Sequence, residues 1–276
     1  MKIDAHNHFW NYDAVKHSWI DDTMTAIKHS FLPQQFEKIL IHNGVDGCVA
    51  VQVEQNIEEN NFLLALADKH PFIKAVVGWV DLTANDLSEQ LKKLSHHKKL
   101  KGFRHIAQAE ADDFLSAKAI INGVSKLAQY NFTYDILVFP NQLPAAIELV
   151  KACPNQKFVL DHLAKPYIKT GEIQQWKKDI TQLAQLDNVS CKLSGMVTEA
   201  DWQNWKTNDF YPYLDVAFET FGTSRLLYGS DWPVCLLAAD YQKVKNILET
   251  YTHTLSTTEQ QQFWGNNAID FYNITT

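Results

Sequence analysis

His6 and His8, with Asn7 between them, close the opening run Met1-Lys2-Ile3-Asp4-Ala5. If that run is a strand, residues two apart share a face, so both imidazoles turn the same way, toward one ion or one reacting carbonyl. Histidines at this spacing also occur as ordinary polar residues at a strand end. The pair therefore marks a site only if other reactive groups gather beside it.

Such groups recur at the ends of later apolar runs. Gly102-Phe103-Arg104-His105 ends in a fixed cation and an imidazole, and Val159-Leu160-Asp161-His162-Leu163-Ala164-Lys165-Pro166 adds a carboxylate and a third histidine. Cys191-Lys192-Leu193-Ser194-Gly195 and Tyr228-Gly229-Ser230-Asp231-Trp232-Pro233 complete the set. Charge placed near a core costs on the order of several kcal/mol unless it has a partner or a task, so packing alone does not explain five such ends. Their coincidence points to an active site.

Asp231, His6, His8 and His162 form the candidate catalytic group, and the same four are the candidate metal ligands. Arg104, Lys192 and Trp232 are candidate substrate contacts. Each has a structural alternative. Arg104 could serve an internal salt bridge, and Lys192 could pair with Asp161 or Asp135 under the rim. His105, which should face away from Arg104 on a strand, could be a satisfied core histidine. Asp4 and Asp161 could orient ligands or cap turns. Trp232, Trp19 and Trp10 could be packing.

Something must hold these residues on one surface. Strand-like runs occur at Lys2–His6, Gly47–Val53, Lys74–Val80, Leu100–Ile106, Phe132–Val138, Lys157–His162, Val189–Leu193 and Leu226–Ser230. Several are Val-, Ile- and Leu-rich on both faces, as parallel strands buried on both sides should be. Helical stretches fall between them. Pro33 and Gly44 bracket Gln34–Asn43, and Pro144 opens Ala145–Ala152. Further amphipathic stretches cover 58–69, 85–97, 117–129, 173–186, 210–221 and 241–251. Eight strand–helix units without a Gly/Ser-rich linker or internal repeat match a single α/β barrel, the (β/α)8 or TIM fold, over residues 1–276. No glycine-rich phosphate turn follows the first strand, which weighs against an open doubly wound sheet. The barrel requires its chemistry at the C-terminal ends of the strands, where the reactive residues lie.

Composition narrows the function classes. Hydrophobic residues make up 46% and charged residues 21%, as in globular proteins. Against 32 Asp and Glu stand 25 scattered Lys and Arg, for a net charge of -7, so a nucleic-acid partner is not expected. Cys48, Cys153, Cys191 and Cys235 lie far apart without CxxC spacing and are read as reduced thiols. Charged and polar residues occupy the N-terminus where a signal peptide needs its apolar stretch, and no apolar run reaches spanning length. A cytoplasmic protein without a membrane partner is expected.

At these strand ends the chain resembles the amidohydrolase superfamily, in its His-x-His after the first strand, a histidine after a later one and an aspartate after the eighth. The resemblance narrows through Asp4-Ala5-His6-Asn7-His8-Phe9-Trp10, Gly78-Trp79-Val80-Asp81-Leu82, Lys101-Gly102-Phe103-Arg104-His105 and the three later motifs given above. These look like the sugar-acid lactonases, a branch with fuconolactonase-like and rhamnonolactonase-like members related to the 2-pyrone-4,6-dicarboxylate lactonases. The match runs to the closing Gly265-Asn266-Asn267-Ala268 segment. It implies hydrolysis of a small-molecule lactone, an aldono-1,4- or 1,5-lactone, with Asp231 as general base. Binuclear members use a bridging lysine or glutamate and two later histidines, whereas only His162 holds such a place here. The resemblance thus implies one divalent ion, with zinc expected, or none. Without metal, the imidazoles would donate hydrogen bonds to the oxyanion. A metal-dependent decarboxylase of the same superfamily, a nuclease on a related barrel and a non-catalytic binding barrel are the competing readings.

Overall fold

A computed structural model describes residues 1–275. Eight parallel strands pair in chain order in one sheet: β1 (Ile3–Asn7), β2 (Gly47–Val51), β3 (Ile73–Gly78), β4 (Leu100–Ile106), β5 (Thr133–Leu137), β6 (Phe158–Leu160), β7 (Val189–Leu193) and β8 (Leu226–Tyr228). Between and after them run α1 (Pro33–His42), α2 (Ile57–Lys69), α3 (Leu87–Leu94), α4 (Lys118–Leu127), α5 (Leu143–Ala152), α6 (Gln174–Ala184), α7 (Tyr211–Phe221) and α8 (Tyr241–Thr252). Parallel pairing with a helical crossover after each strand is the (β/α)8 arrangement expected from sequence.

The strands read as apolar on both faces because two cores need them. Ile3, Ala5, Val49, Val51, Ala75, Val77, Val159 and Leu227 meet inside the barrel. Alternate residues such as Cys48, Ala50, Val76, Leu160 and Cys191 join the larger core between sheet and helices. All four cysteines are buried and unpaired. Among the described residues, no helix is long and apolar enough to cross a membrane.

The helix ends have local causes. Pro33 starts α1 at its first position, where a missing N–H costs nothing, and Gly44 (φ +63°) follows its end in left-handed backbone. The side chain of Asn56 accepts from Glu59 N at 2.8 Å to cap α2, and Asp240 accepts from Lys243 N at 2.8 Å to cap α8. Two short helices not expected from sequence, α9 (Thr257–Gln261) and α10 (Asn267–Phe271), flank a π-helical turn over Gln262–Asn266. Through Ala268, Tyr272 and Ile274 this C-terminal segment packs into the inner core, away from the rim that carries the histidines.

The seam between β1 and β8 lies beyond the regular ends of β8. Asn7 bridges to Trp232, His8 N donates to Trp232 O at 2.7 Å, and Asp231 N donates to His6 O at 2.9 Å. Closure of the barrel and assembly of the candidate site thus use the same backbone.

Candidate active site

His6 owes its orientation to a bulge. Register runs Asp4 to Cys48 and then Asn7 to Ala50, so β1 spends three residues where β2 spends two. Strict alternation would put Asp4 on the face of His6 and His8. Instead Ile3 and Ala5 enter the inner core, His6 follows them toward the barrel axis, and Asp4 serves as a backbone tie. The Asp4 carboxylate accepts from His6 N at 3.1 Å and from Ser230 N at 2.9 Å, joining β1 to the end of β8. Burial pushes Asp4 up to about 6 against the lowering effect of those hydrogen bonds.

Three imidazoles converge on one carboxylate. The Nε2 atoms of His8, His162 and His6 lie 3.4, 3.8 and 3.9 Å from Asp231 Oδ1. His6 Nε2 and His8 Nε2 are 3.2 Å apart. His8 Nδ1 donates to Val51 O at 2.8 Å, which leaves a bare lone pair on its Nε2 while the ring is neutral. His162 Nδ1 meets Ser194 Oγ at 2.8 Å. Burial holds both His6 and His162 well below the ordinary imidazole range, so both are neutral at pH 7. Burial opposes the charge on Asp231 too, but His162 and His8 outweigh it and keep the carboxyl below its usual value.

The backbone under two of these residues is strained. His162, Leu163, Ala164 and Lys165 all have φ between 50 and 58°, and Asp231 has φ 58°. Left-handed backbone costs about 1–2 kcal/mol per non-glycine residue and persists only where the surroundings enforce it. Here Lys165 N donates to His162 O at 2.7 Å and the Trp176 indole donates to Leu163 O at 2.7 Å. Gly195 (φ +62°) completes the cradle, because a Cβ there would lie 2.6 Å from His162 Nδ1.

Below the rim lies a fully buried charge network. Lys192 Nζ is 2.6 Å from Asp135 Oδ2, 2.9 Å from Asp161 Oδ1 and 3.1 Å from His6 Nδ1. Tyr272 Oη, from the C-terminal segment, donates to Asp135 Oδ2 at 2.7 Å. Arg104 Nη1 reaches Asp161 Oδ2 at 3.2 Å and His6 Nε2 at 3.3 Å, while its Nη2 donates to Gln52 O at 2.5 Å. Lys192, His6 and Arg104 overcome the burial of Asp161 and hold it well below the carboxylate range. Asp135, desolvated and beside Asp161, is pushed up to about 6 despite Lys192.

From sequence, Lys192 and Trp232 are expected to touch substrate. Neither reaches the pocket wall. Lys192 is spent on two carboxylates beneath it, the structural alternative stated for it above. Trp232 turns outward and stacks on Phe36 of α1, with ring centroids 4.4 Å apart and planes at 15°. Arg104 does line the pocket, with most of its fork engaged. His105 faces the other way, 2.9 Å from Glu110 and stacked on Phe114.

The pocket above Asp231 has a volume of about 350 Å³. His8, His162, Arg104 and Asp231 form its floor, and Trp10, Trp19, Gln55, Gln108 and Lys165 are among its walls. Sequence reasoning left out Gln52, Gln55, Gln108 and Tyr272 and gave Trp10 and Trp19 no role in a mechanism. For Gln55 a signal existed, because it follows Val51 just past the end of β2.

His6 Nε2, His8 Nε2 and Asp231 Oδ1 can be bridged by one ion, and His6, Asp161 and His162 form a second such group. Tetrahedral ligands at about 2.0–2.1 Å stand about 3.3–3.4 Å apart, close to the 3.2 and 3.4 Å found between His8 and its two partners. The bare Nε2 of His8 and the mixed N/O donors suit a zinc-like ion.

A closed (β/α)8 barrel with paired histidines at the end of β1, a histidine after β6 and an aspartate after β8 defines a hydrolase of the amidohydrolase type. The chain belongs to the amidohydrolase family, whose model matches residues 3–274. It is 37% identical to an L-fucono-1,5-lactonase of Burkholderia multivorans, across 99% of this chain and 96% of that one. It is also 34% identical to an L-fucono-1,5-lactonase of Burkholderia ambifaria, with the same coverage. The crystal structure of an amidohydrolase from Burkholderia multivorans with bound zinc matches with a TM-score of 0.96 at 37% identity, covering both chains completely.

Proposed function

We propose that this chain hydrolyses the ester bond of a sugar-acid lactone of the aldono-1,4- or 1,5- class, with Asp231 as general base. The observation that carries this reading is the single carboxylate ringed by three imidazole nitrogens at the floor of a small pocket. Membership of the amidohydrolase family and the whole-length similarity to two L-fucono-1,5-lactonases support it.

Ring opening needs a water that loses a proton, a carbonyl that gains negative charge and a leaving alkoxide that gains a proton. Asp231, ionised at neutral pH, accepts the proton as the water oxygen bonds to the carbonyl carbon, and returns it to the ring oxygen as the C–O bond breaks. The hydroxy acid formed then ionises and releases one proton to solvent. A divalent ion held by His6, His8, His162 and Asp231, with zinc the best match to the donors, would act as a Lewis acid on the carbonyl. His8 fits that ligand role better than the role of a hydrogen-bond donor, since its N–H is committed to Val51 O. In a metal-free form His162 is the imidazole able to present an N–H, because Ser194 can donate to or accept from its other nitrogen. Arg104 keeps positive charge at the floor in either case.

The test is a pH-indicator assay over aldono-1,4- and 1,5-lactones, with and without a strong chelator, on the wild type and on Asp231→Asn. Proton release by the wild type and its loss in a folded Asp231→Asn protein support the assignment. Near-normal hydrolysis by that variant refutes the base.

A further inference from the structure

We infer that Gln55 and Gln108 read the hydroxyl groups of the substrate, and that the pocket selects a neutral polyhydroxylated lactone over one bearing an extra carboxylate or phosphate. This rests on the lactonase reading above and adds the class of ring the site accepts.

The first observation is where the pocket's charge has gone. Arg104 is bound to Asp161 and Gln52, and Lys165 Nζ lies 3.0 Å from Glu199 Oε1. Among the described residues, no lining side chain offers a cation without a partner. A second anionic group on the substrate, away from the reacting carbonyl, would therefore meet no side-chain cation free to pair with it, which is costly in a confined site.

The second observation is unspent neutral hydrogen-bonding capacity. Gln108 Oε1 is buried and has no partner among the described residues. An orphaned buried acceptor is unfavourable until something donates to it, and Gln108 lines the pocket. Gln55 complements it. Its Oε1 accepts from Ile106 N at 2.7 Å, which commits the amide oxygen and leaves the NH2 for the pocket.

Both amides stand on braced backbone. The turn Ala107–Ala109 that carries Gln108 is gripped by buried Gln142, whose Nε2 donates to Ala107 O at 2.8 Å and to Glu110 O at 3.2 Å. Gln55 is tied to the end of β4 by its own bond to Ile106. One acceptor and one donor, each carried on backbone that is held in advance, suit adjacent hydroxyls of a sugar ring. Trp10 and Trp19, edge-to-face at 6.0 Å, add an aromatic wall against which a ring's C–H face can lie. The volume of about 350 Å³ is near the small end of the roughly 300–1,000 Å³ typical of ligand pockets and fits one monosaccharide-sized ring.

The test compares kcat/KM for three probes: a six-carbon aldono-1,5-lactone, δ-valerolactone, which has no hydroxyls, and a lactone carrying an additional carboxylate. The wild type is expected to prefer the aldonolactone over both others. Gln108→Met should lower the ratio of aldonolactone to δ-valerolactone by about tenfold to a hundredfold, and Gln108→Glu, which keeps an acceptor, should hold that ratio within about threefold. Gln55→Leu provides the second variant if Gln108→Met fails to fold, as judged by thermal melting, and should lower the ratio similarly. Equal losses on both lactones, an unchanged ratio in both variants, or wild-type preference for the carboxylated lactone overturns the inference while leaving lactone hydrolysis standing. Failure of the wild type to open any lactone overturns the underlying reading as well.

Discussion

Replacing Lys192 by methionine removes a cation from a place where water cannot take over its work. Its ammonium lies 2.6 and 2.9 Å from two buried carboxylates, both side chains having zero exposure. With Arg104 nearby, the cluster of Asp135, Asp161, Arg104 and Lys192 is formally neutral, and the substitution leaves it with one unpaired negative charge. Breaking a buried pair from one side costs about 3–5 kcal/mol. A chain of this size loses about 2–4 °C per kcal/mol, so the melting midpoint of Lys192→Met should fall by about 6–20 °C in differential scanning calorimetry. Methionine has similar length, so lost packing contributes little. The decisive comparison is the double variant Asp135→Asn/Lys192→Met, which removes one charge of each sign and keeps an acceptor for Tyr272. It should recover at least half of the lost midpoint, because neutralised buried pairs are far better tolerated than broken ones. A single-variant shift under about 3 °C, or a double variant that melts at the sum of the two single losses, refutes the network.

Gly195→Ala should reduce kcat by about a hundredfold or more with little change in expression, since the new methyl displaces the His162 ring; wild-type turnover by this variant would be incompatible with the cradle described. Adding zinc should raise the melting midpoint of chelator-treated wild type but not of His8→Ala, so an equal rise in both would remove His8 from the ligand set. Buried Glu59 is raised to about 7, mainly by desolvation, from the ordinary carboxyl value of 4.5. Protonation therefore favours the folded state; the stabilisation is complete below 4.5 and is lost as pH rises through about 7. Glu59→Gln keeps an acceptor for Val53 N, so its midpoint relative to wild type should climb between pH 5 and pH 8. The upper bound is about 3 kcal/mol, and a flat difference across that range contradicts the shift.

Elements whose pattern is local were legible. The residue ranges of β4 and β7 agree with the runs read from their apolar residues, and α1 begins at its proline and stops just short of its glycine. Arg104 and His105 face opposite ways, as alternation requires. What escaped depends on contacts between distant segments. The β1 bulge leaves no mark in Ile3-Asp4-Ala5-His6, because it answers to the register of β2 rather than to any residue preference. Lys192 carries the same charge whether it faces substrate or two aspartates, and only Asp135 and Asp161 on neighbouring strands decide between them. Trp10 and Trp19 reach the pocket along a non-periodic loop, so composition marked them as packing. Tyr272 could not be placed at all from sequence, since the helices that bring it under the barrel are only five residues each.

The seam between β1 and β8 has one more consequence. Asp231 lies more than two hundred residues beyond His6 and His8, and backbone hydrogen bonds from Asp231 to His6 and from His8 to Trp232 zip the first strand to the last. A nascent chain with seven strands complete holds all three imidazoles and no base, so enzymatic competence is the last property this molecule acquires. During refolding, turnover should return later than helical signal, and a catalytic assay would serve as a clock for ring closure rather than for compaction.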